Sequence, residues 1–224
     1  RYGLVAFASS LDQIGPFARD VRDCALVMKA IAGRDERDAT TIPEPSPDLL
    51  GDLERGMGGL RVAFPSDLGT WDMDAAVRDI ATRTIDDLTR DSIAVSGVTL
   101  PGMETSIAAY YILANAEASS NLARYDGVKY GLRASSSSLA DMYDETRGAG
   151  FGDEVKRRIL LGTYVLSSGY YDAYYAKAQQ VQALIRAQFE ELFEKQDLVF
   201  LPTSPTPAFK LGEKLDDPMA MYLN

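Results

Sequence analysis

LRVAFP at 60–65, DAAVRDIATRTIDDLTR at 74–90 and IAVSGVTL at 93–100 are the stretches that decide the fold. The first reads as a short buried-type strand over 60–64, stopped by Pro65, which has no N–H to give a ladder. In the second, Val77, Ile80, Ala81, Ile85 and Leu88 recur at helical spacing, so one apolar stripe faces inward. The third returns as a strand over 93–100 and is closed by Pro101 and Gly102. Strand, helix, strand at this spacing is a βαβ unit with a parallel strand pair. The fold class is therefore α/β.

Outward from that unit, helical spacing also marks 18–32, where Val21, Ala25, Met28 and Ala32 share a face and Gly33 ends the run. Residues 34–59 are polar, with Pro43, Pro45, Pro47 and three glycines, and read as a surface connection. Residues 104–123 form a helix rich in small residues: Ala108, Ala109, Ala114, Ala116 and Ala118. Ser138 with Asp141 fits a capping box. After a break at 148–152, Asp153 caps a helix that runs to about Leu166. A longer helix spans 170–195, with Tyr174, Val181, Leu184, Ile185, Gln188 and Leu192 inward. A last strand at 197–201 stops at Pro202.

Composition narrows the chemistry. The chain has 224 residues, 46% hydrophobic and 25% charged, with a net charge of -10. That acidic balance argues against a nucleic-acid-binding face, DNA included. There is no histidine, which removes every imidazole base and ligand, and one cysteine, Cys24, which removes an internal disulfide. No apolar run approaches the roughly 20 residues of a membrane span. The start at Arg1 without Met, and the absence of any leader-like segment, read as a piece of a longer cytoplasmic chain.

Candidate side chains each carry a plainer alternative. A serine nucleophile without histidine needs another base, usually lysine. The pairs Ser9-Ser10, Ser119-Ser120 and Ser167-Ser168 lie in no glycine-rich elbow and read as caps and helix packing. Lys156, Arg157 and Arg158 point in different directions on a helix, about 100° apart. One arginine drawn inward by Val155, Ile159 and Leu160 needs a carboxylate, from the protein or from a ligand. The tyrosine pairs at 110–111, 170–171 and 174–175 read as packing residues. Asp153-Glu154 and Asp216-Asp217 read as solvated carboxylates rather than metal ligands.

Longer wording goes further. RYGLVAFASSLDQIGP at 1–16, EASSNLARYDG at 117–127, GDEVKRRI at 152–159, LSSGYYDAYY at 166–175, PTSPTP at 202–207 and DPMAMY at 217–222 follow one another in order. Together they resemble the amidase-signature family. The middle motifs resemble its branch that serves tRNA-dependent amidotransferases.

The resemblance implies a partial amidase-signature fold, a mixed β-sheet flanked by helices, with 1–224 as one partial domain. It implies a glutaminase that works through a Ser–cis-Ser–Lys triad and delivers ammonia for amidating Glu-tRNA or Asp-tRNA. The triad precedes Arg1 in the family, so no catalytic residue is expected in this chain. Two pocket residues carry over: Tyr110, and Arg158 as the grip on the α-carboxylate of glutamine. An aspartate for the α-amino group is expected just after Asn224. The implied partners are B and C subunits, glutamine, and charged tRNA through the complex. No cofactor is expected in this chain, ATP and Mg being used by the B subunit. The competing readings are a hydrolase of another small amide, and a non-catalytic scaffold that binds partner subunits.

Overall fold

The β-branched and small residues of RVAFP form strand β1 (Arg61–Pro65) in a computed structural model of the chain. The model describes residues 2–103, 105–129, 131–214 and 221. Strand β2 (Ala94–Val98) lies parallel to β1, with Arg61 opposite Ala94 and Pro65 opposite Val98. Strand β3 (Leu198–Val199) lies parallel on the other side, with Val62 opposite Leu198. Among the described residues the sheet thus has three parallel strands in the order β2-β1-β3. The expected α/β class with flanking helices holds. Pro65 sits inside β1 rather than beyond it. Its fixed φ suits extended backbone, and the next amide, Ser66 N–H, donates to Val98 O at 2.9 Å.

The remaining helices are α1 (Val21–Ile31), α2 (Leu49–Asp52), α3 (Ala75–Arg90), α4 (Ser106–Leu122), α5 (Leu139–Gly150), α6 (Asp153–Leu166) and α7 (Ala176–Lys195). A 3-10 turn covers Leu68–Thr70, and a π turn over Tyr171–Tyr175 leads into α7. The chain divides into two compact units, one of residues 1–53 and 108–182, the other of 54–107 and 183–224. The polar connection at 34–59 crosses one boundary and contains the short helix α2.

The second unit holds the sheet. Its helix α3 starts at Asp74, whose carboxylate accepts the Ala76 N–H at 2.8 Å. The Asp74 N–H donates to Pro205 O at 2.8 Å, which fastens the proline-rich loop to the start of α3. Ala81 is the buried centre of the α3 stripe, but Ile80 is exposed. At about 100° per residue, Ile80 falls on the solvent edge once Ala81 marks the middle.

The first unit is built on α4, where Ala109, Leu113, Ala114, Asn115, Ala116, Ala118 and Leu122 are buried. Ala109 and Leu113 pack with Ala178 of α7, with Ile112, Tyr175 and Val181 around them. In α1 the buried residue is Ala25, while Val21 is exposed. Ser138 caps α5 by accepting the Asp141 N–H at 3.1 Å, and its own hydroxyl donates to the Asp141 carboxylate at 2.7 Å. Gly152, not Asp153, is the cap of α6, and Asp153 is its first residue. The stripe expected on 170–195 holds in part: Val181, Ile185 and Leu192 are half-buried, as is Tyr175 before them, and Ala178 is buried, while Tyr174, Leu184 and Gln188 are exposed.

Candidate functional site

Both residues singled out for substrate binding belong to the first unit, Tyr110 on α4 and Arg158 on α6. Helix α6 begins with Asp153 and Glu154, acidic residues that suit the positive end of its dipole. Glu154 stands three and four residues before Arg157 and Arg158, the spacing at which helical side chains meet. Arg158 is the arginine drawn inward, its side chain 18% exposed against 45% for Arg157. The required carboxylate comes from the protein: Arg158 Nε donates to Glu154 Oε1 at 2.7 Å. Arg157 donates through Nε and Nη2 to the same carboxylate, both at 2.9 Å. The Arg158 bond foremost, and the Arg157 bond after it, hold the Glu154 carboxyl below its ordinary range despite some desolvation.

The segment before α1 supplies another wall. The Asp12 carboxylate accepts the N–H groups of Phe7 and Ala8, both at 3.0 Å, and closes a tight turn around buried Ala8. Asn121 of α4 holds the turn by donating to Phe7 O at 3.0 Å and Ser9 Oγ at 3.2 Å. Ser10 gives both its N–H and its hydroxyl to the Glu117 carboxylate. So anchored, the Phe7 ring lies 5.5 Å from the Arg158 guanidinium, in cation–π range. Beside this turn Ser9, Glu117, Ser120, Asn121, Tyr171 and Tyr175, together with Ala116 and Leu166, line a depression of about 300 Å³.

Helices α4 and α6 meet with almost no space between them. A Cβ on Gly162 would fall 1.9 Å from the backbone oxygen of Asn115 and 2.9 Å from Ser119 Cβ. Ser119 and Ser120 donate back to Ala116 O at 2.9 and 3.2 Å, as packing serines do. One turn before Asn115, Tyr111 Oη accepts from Arg157 Nη1 at 3.0 Å. One link between the helices thus runs through Tyr111 and Arg157, the neighbours of the two residues singled out. From the sequence Glu154 reads only as a solvated carboxylate and Tyr111 only as a packing residue, and Phe7 carries no assignment. The spacing to Glu154 was visible, but the contacts of Phe7 and Tyr111 need the fold.

Of the other tyrosines, Tyr175 packs against the buried cluster of α4 and α7. Tyr164, Tyr170 and Tyr174 are exposed and pack on one another, the first two with ring centroids 4.3 Å apart. The hydrogen bond with Tyr170, with desolvation second, pushes the Tyr164 hydroxyl up to about 12. Among the described residues no three His, Cys, Asp or Glu cluster to hold a metal, and no helix is long and apolar enough to cross a membrane. Asp216 and Asp217 lie outside the described residues.

Comparisons with known proteins fall on one family. The family model described as Amidase matches residues 1–224. A protein of Moorella thermoacetica, named as the A subunit of glutamyl-tRNA(Gln) amidotransferase, is 56% identical over the whole chain, which covers 46% of that relative. A protein of the same name from Acidobacterium capsulatum is 54% identical, with 47% of it covered. The crystal structure of the A subunit of glutamyl-tRNA(Gln) amidotransferase from Thermotoga maritima matches the whole chain with a TM-score of 0.73 at 40% identity, over 44% of its own length. The chain spans about half the length of the curated relatives it matches.

Proposed function

The chain belongs to the amidase family, and from that premise we propose that it is part of the glutaminase subunit of a tRNA-dependent amidotransferase. The observation that carries the reading is the identity of 56% along all 224 residues with a subunit of that name. In the proposed reaction, a serine outside these residues attacks the side-chain amide of glutamine. The C–N bond breaks, ammonia leaves with a proton, and an acyl-enzyme remains. Water then cleaves the ester, returning the serine hydroxyl and releasing glutamate. The ammonia serves the amidation of Glu-tRNA or Asp-tRNA on a B subunit that uses ATP and Mg, with a C subunit completing the complex.

The role proposed for this chain is to form part of the glutamine pocket. Arg158 grips the α-carboxylate, and Tyr110 lines the same pocket. Support for Arg158 lies in its setting: a guanidinium largely shielded from water, held at Nε by Glu154 and flanked by the Phe7 ring. A planar guanidinium so held offers a fork to a carboxylate, which an ammonium does not. In the full-length protein with its partner subunits, Arg158→Lys is expected to lower kcat/KM for glutamine by about 10- to 100-fold, the scale of one charge-assisted contact. Ammonia release from glutamine reads this directly. Unchanged kinetics for Arg158→Ala would remove Arg158 from the pocket.

A further inference from the structure

The turn at 7–12 is pinned to α4 by a side chain whose own orientation is fixed. Arg124 Nη2 donates to Asn121 Oδ1 at 3.3 Å, and Arg124 Nε donates to Asn121 O at 2.8 Å. With its oxygen facing a donor, the Asn121 amide turns its NH2 to the turn, where Nδ2 donates to Phe7 O at 3.0 Å and Ser9 Oγ at 3.2 Å. The turn closes on itself as well, the N–H groups of Leu11 and Asp12 donating to Ala8 O at 2.8 and 2.7 Å. Phe7 is thus held at its carbonyl by α4 and at its N–H by the Asp12 carboxylate. A residue fixed at both backbone groups has only its side-chain rotamers left, and the Phe7 ring lies against the Arg158 guanidinium, 5.5 Å from its centroid.

We infer that Phe7 is a positioning residue for the glutamine α-carboxylate, its ring fixing the plane of the Arg158 guanidinium, and that Asn121 acts one step further back by placing the ring. This role rests on the reading of Arg158 as the carboxylate ligand. A ring against a guanidinium acts on the face of the group and not on its N–H edges, so those edges keep whatever partners they have. The ring helps to close that face to water, in keeping with the 18% exposure of the Arg158 side chain. It also takes side-chain freedom from the arginine before the substrate arrives, so binding gives up less. Asn121 touches neither Arg158 nor the substrate in this scheme, and its effect passes through Phe7 alone.

A cycle of variants in the full-length protein with its partner subunits tests this, with ammonia release from glutamine as the readout. Phe7→Leu keeps an apolar side chain but removes the π face, and is expected to raise KM for glutamine about 3- to 10-fold with kcat nearly unchanged. Phe7→Tyr keeps the ring and should stay within about 2-fold of the parent KM. Asn121→Asp keeps size and the Arg124 contact but sets an oxygen against Phe7 O, and is expected to raise KM about 2- to 5-fold. It also serves if Phe7→Leu does not fold. Combined with Phe7→Leu, Asn121→Asp should add little, because its effect passes through the ring already removed. Unaltered KM in Phe7→Leu, no rescue by Phe7→Tyr, or losses that multiply in the double variant would overturn the positioning role while leaving Arg158 as ligand. Unaltered kinetics in Arg158→Ala would instead overturn the pocket assignment on which the role depends.

Discussion

The sheet of one unit and the α4–α6 crossing of the other are held together by opposite means. In the sheet, β1 takes backbone partners from both neighbours and buries Val62 and Ala63 among them. The ladder fixes the spacing, and side chains fill the room it leaves. At the crossing no ladder exists, and the spacing is set by an atom that is missing, the Cβ of Gly162. A side-chain change in the sheet therefore loses packing, whereas one at Gly162 moves a helix. Since α6 also carries Glu154, Arg157 and Arg158, the pocket proposed here lies on the less forgiving of the two regions.

Gly162→Ala is the sharpest way to break that contrast. A methyl 1.9 Å from a backbone oxygen meets nothing that can rotate away, so α6 must shift or the unit must open. A loss of roughly 3 kcal/mol or more is expected in urea unfolding, at the upper end of core overpacking. Val62→Ala in the sheet should cost less, about 1.5–2.5 kcal/mol, because it removes two buried methyl groups and leaves the ladder in place. If the two losses proved equal, the distinction between ladder and close approach would fall. Gly148→Ala sharpens the comparison in the opposite direction. Gly148 lies inside α5 with nothing within 4 Å of the position of a Cβ. There the added methyl should stabilise by about 0.5–1 kcal/mol through reduced freedom of the unfolded chain.

The same contrast separates what could be read in the residues from what could not. The βαβ unit was legible, because 60–65, 74–90 and 93–100 carry periods that depend only on near neighbours. Ile80 and Leu184 show the limit of that method. Each fits an apolar stripe, yet each is exposed, since the phase of a face is decided by what packs on it. The π turn at Tyr171–Tyr175 is not announced by spacing either, and at its end Tyr175 rather than Tyr174 turns inward. Tyr110 and Arg158 emerged only through likeness to a family, and composition alone left Arg158 open between a protein carboxylate and a ligand. Glu154 was legible as the (i, i+4) partner of Arg158 but was weighed only beside Asp153 as a solvated pair. Gly162 gave no local sign at all, because its partner is the backbone of another helix.

The smallest expected effect concerns the edge of the sheet. Arg61 donates Nε and Nη2 to the two oxygens of Asp197, at 3.0 and 2.8 Å, and its backbone N–H adds a third bond at 2.8 Å. The Arg61 side-chain bonds foremost, then the backbone one, lower the Asp197 carboxyl from an ordinary 3.8 to about 2. A carboxyl whose value falls on folding binds its proton more weakly in the folded state. Its contribution is therefore complete above the unfolded value and fades as pH drops from about 4 toward 2. Asp197→Asn should remove that acid-sensitive part, so the variant loses less stability between pH 5 and 2 than the parent does, as followed by thermal melting across that range. The difference should be small, since both side chains are partly exposed and water and salt screen such a pair. Parallel pH profiles for the two proteins would mean that the backbone ladder between β1 and β3 holds this edge without help from the ion pair. The sheet would then depend on its ladder even more than its contrast with the Gly162 crossing requires.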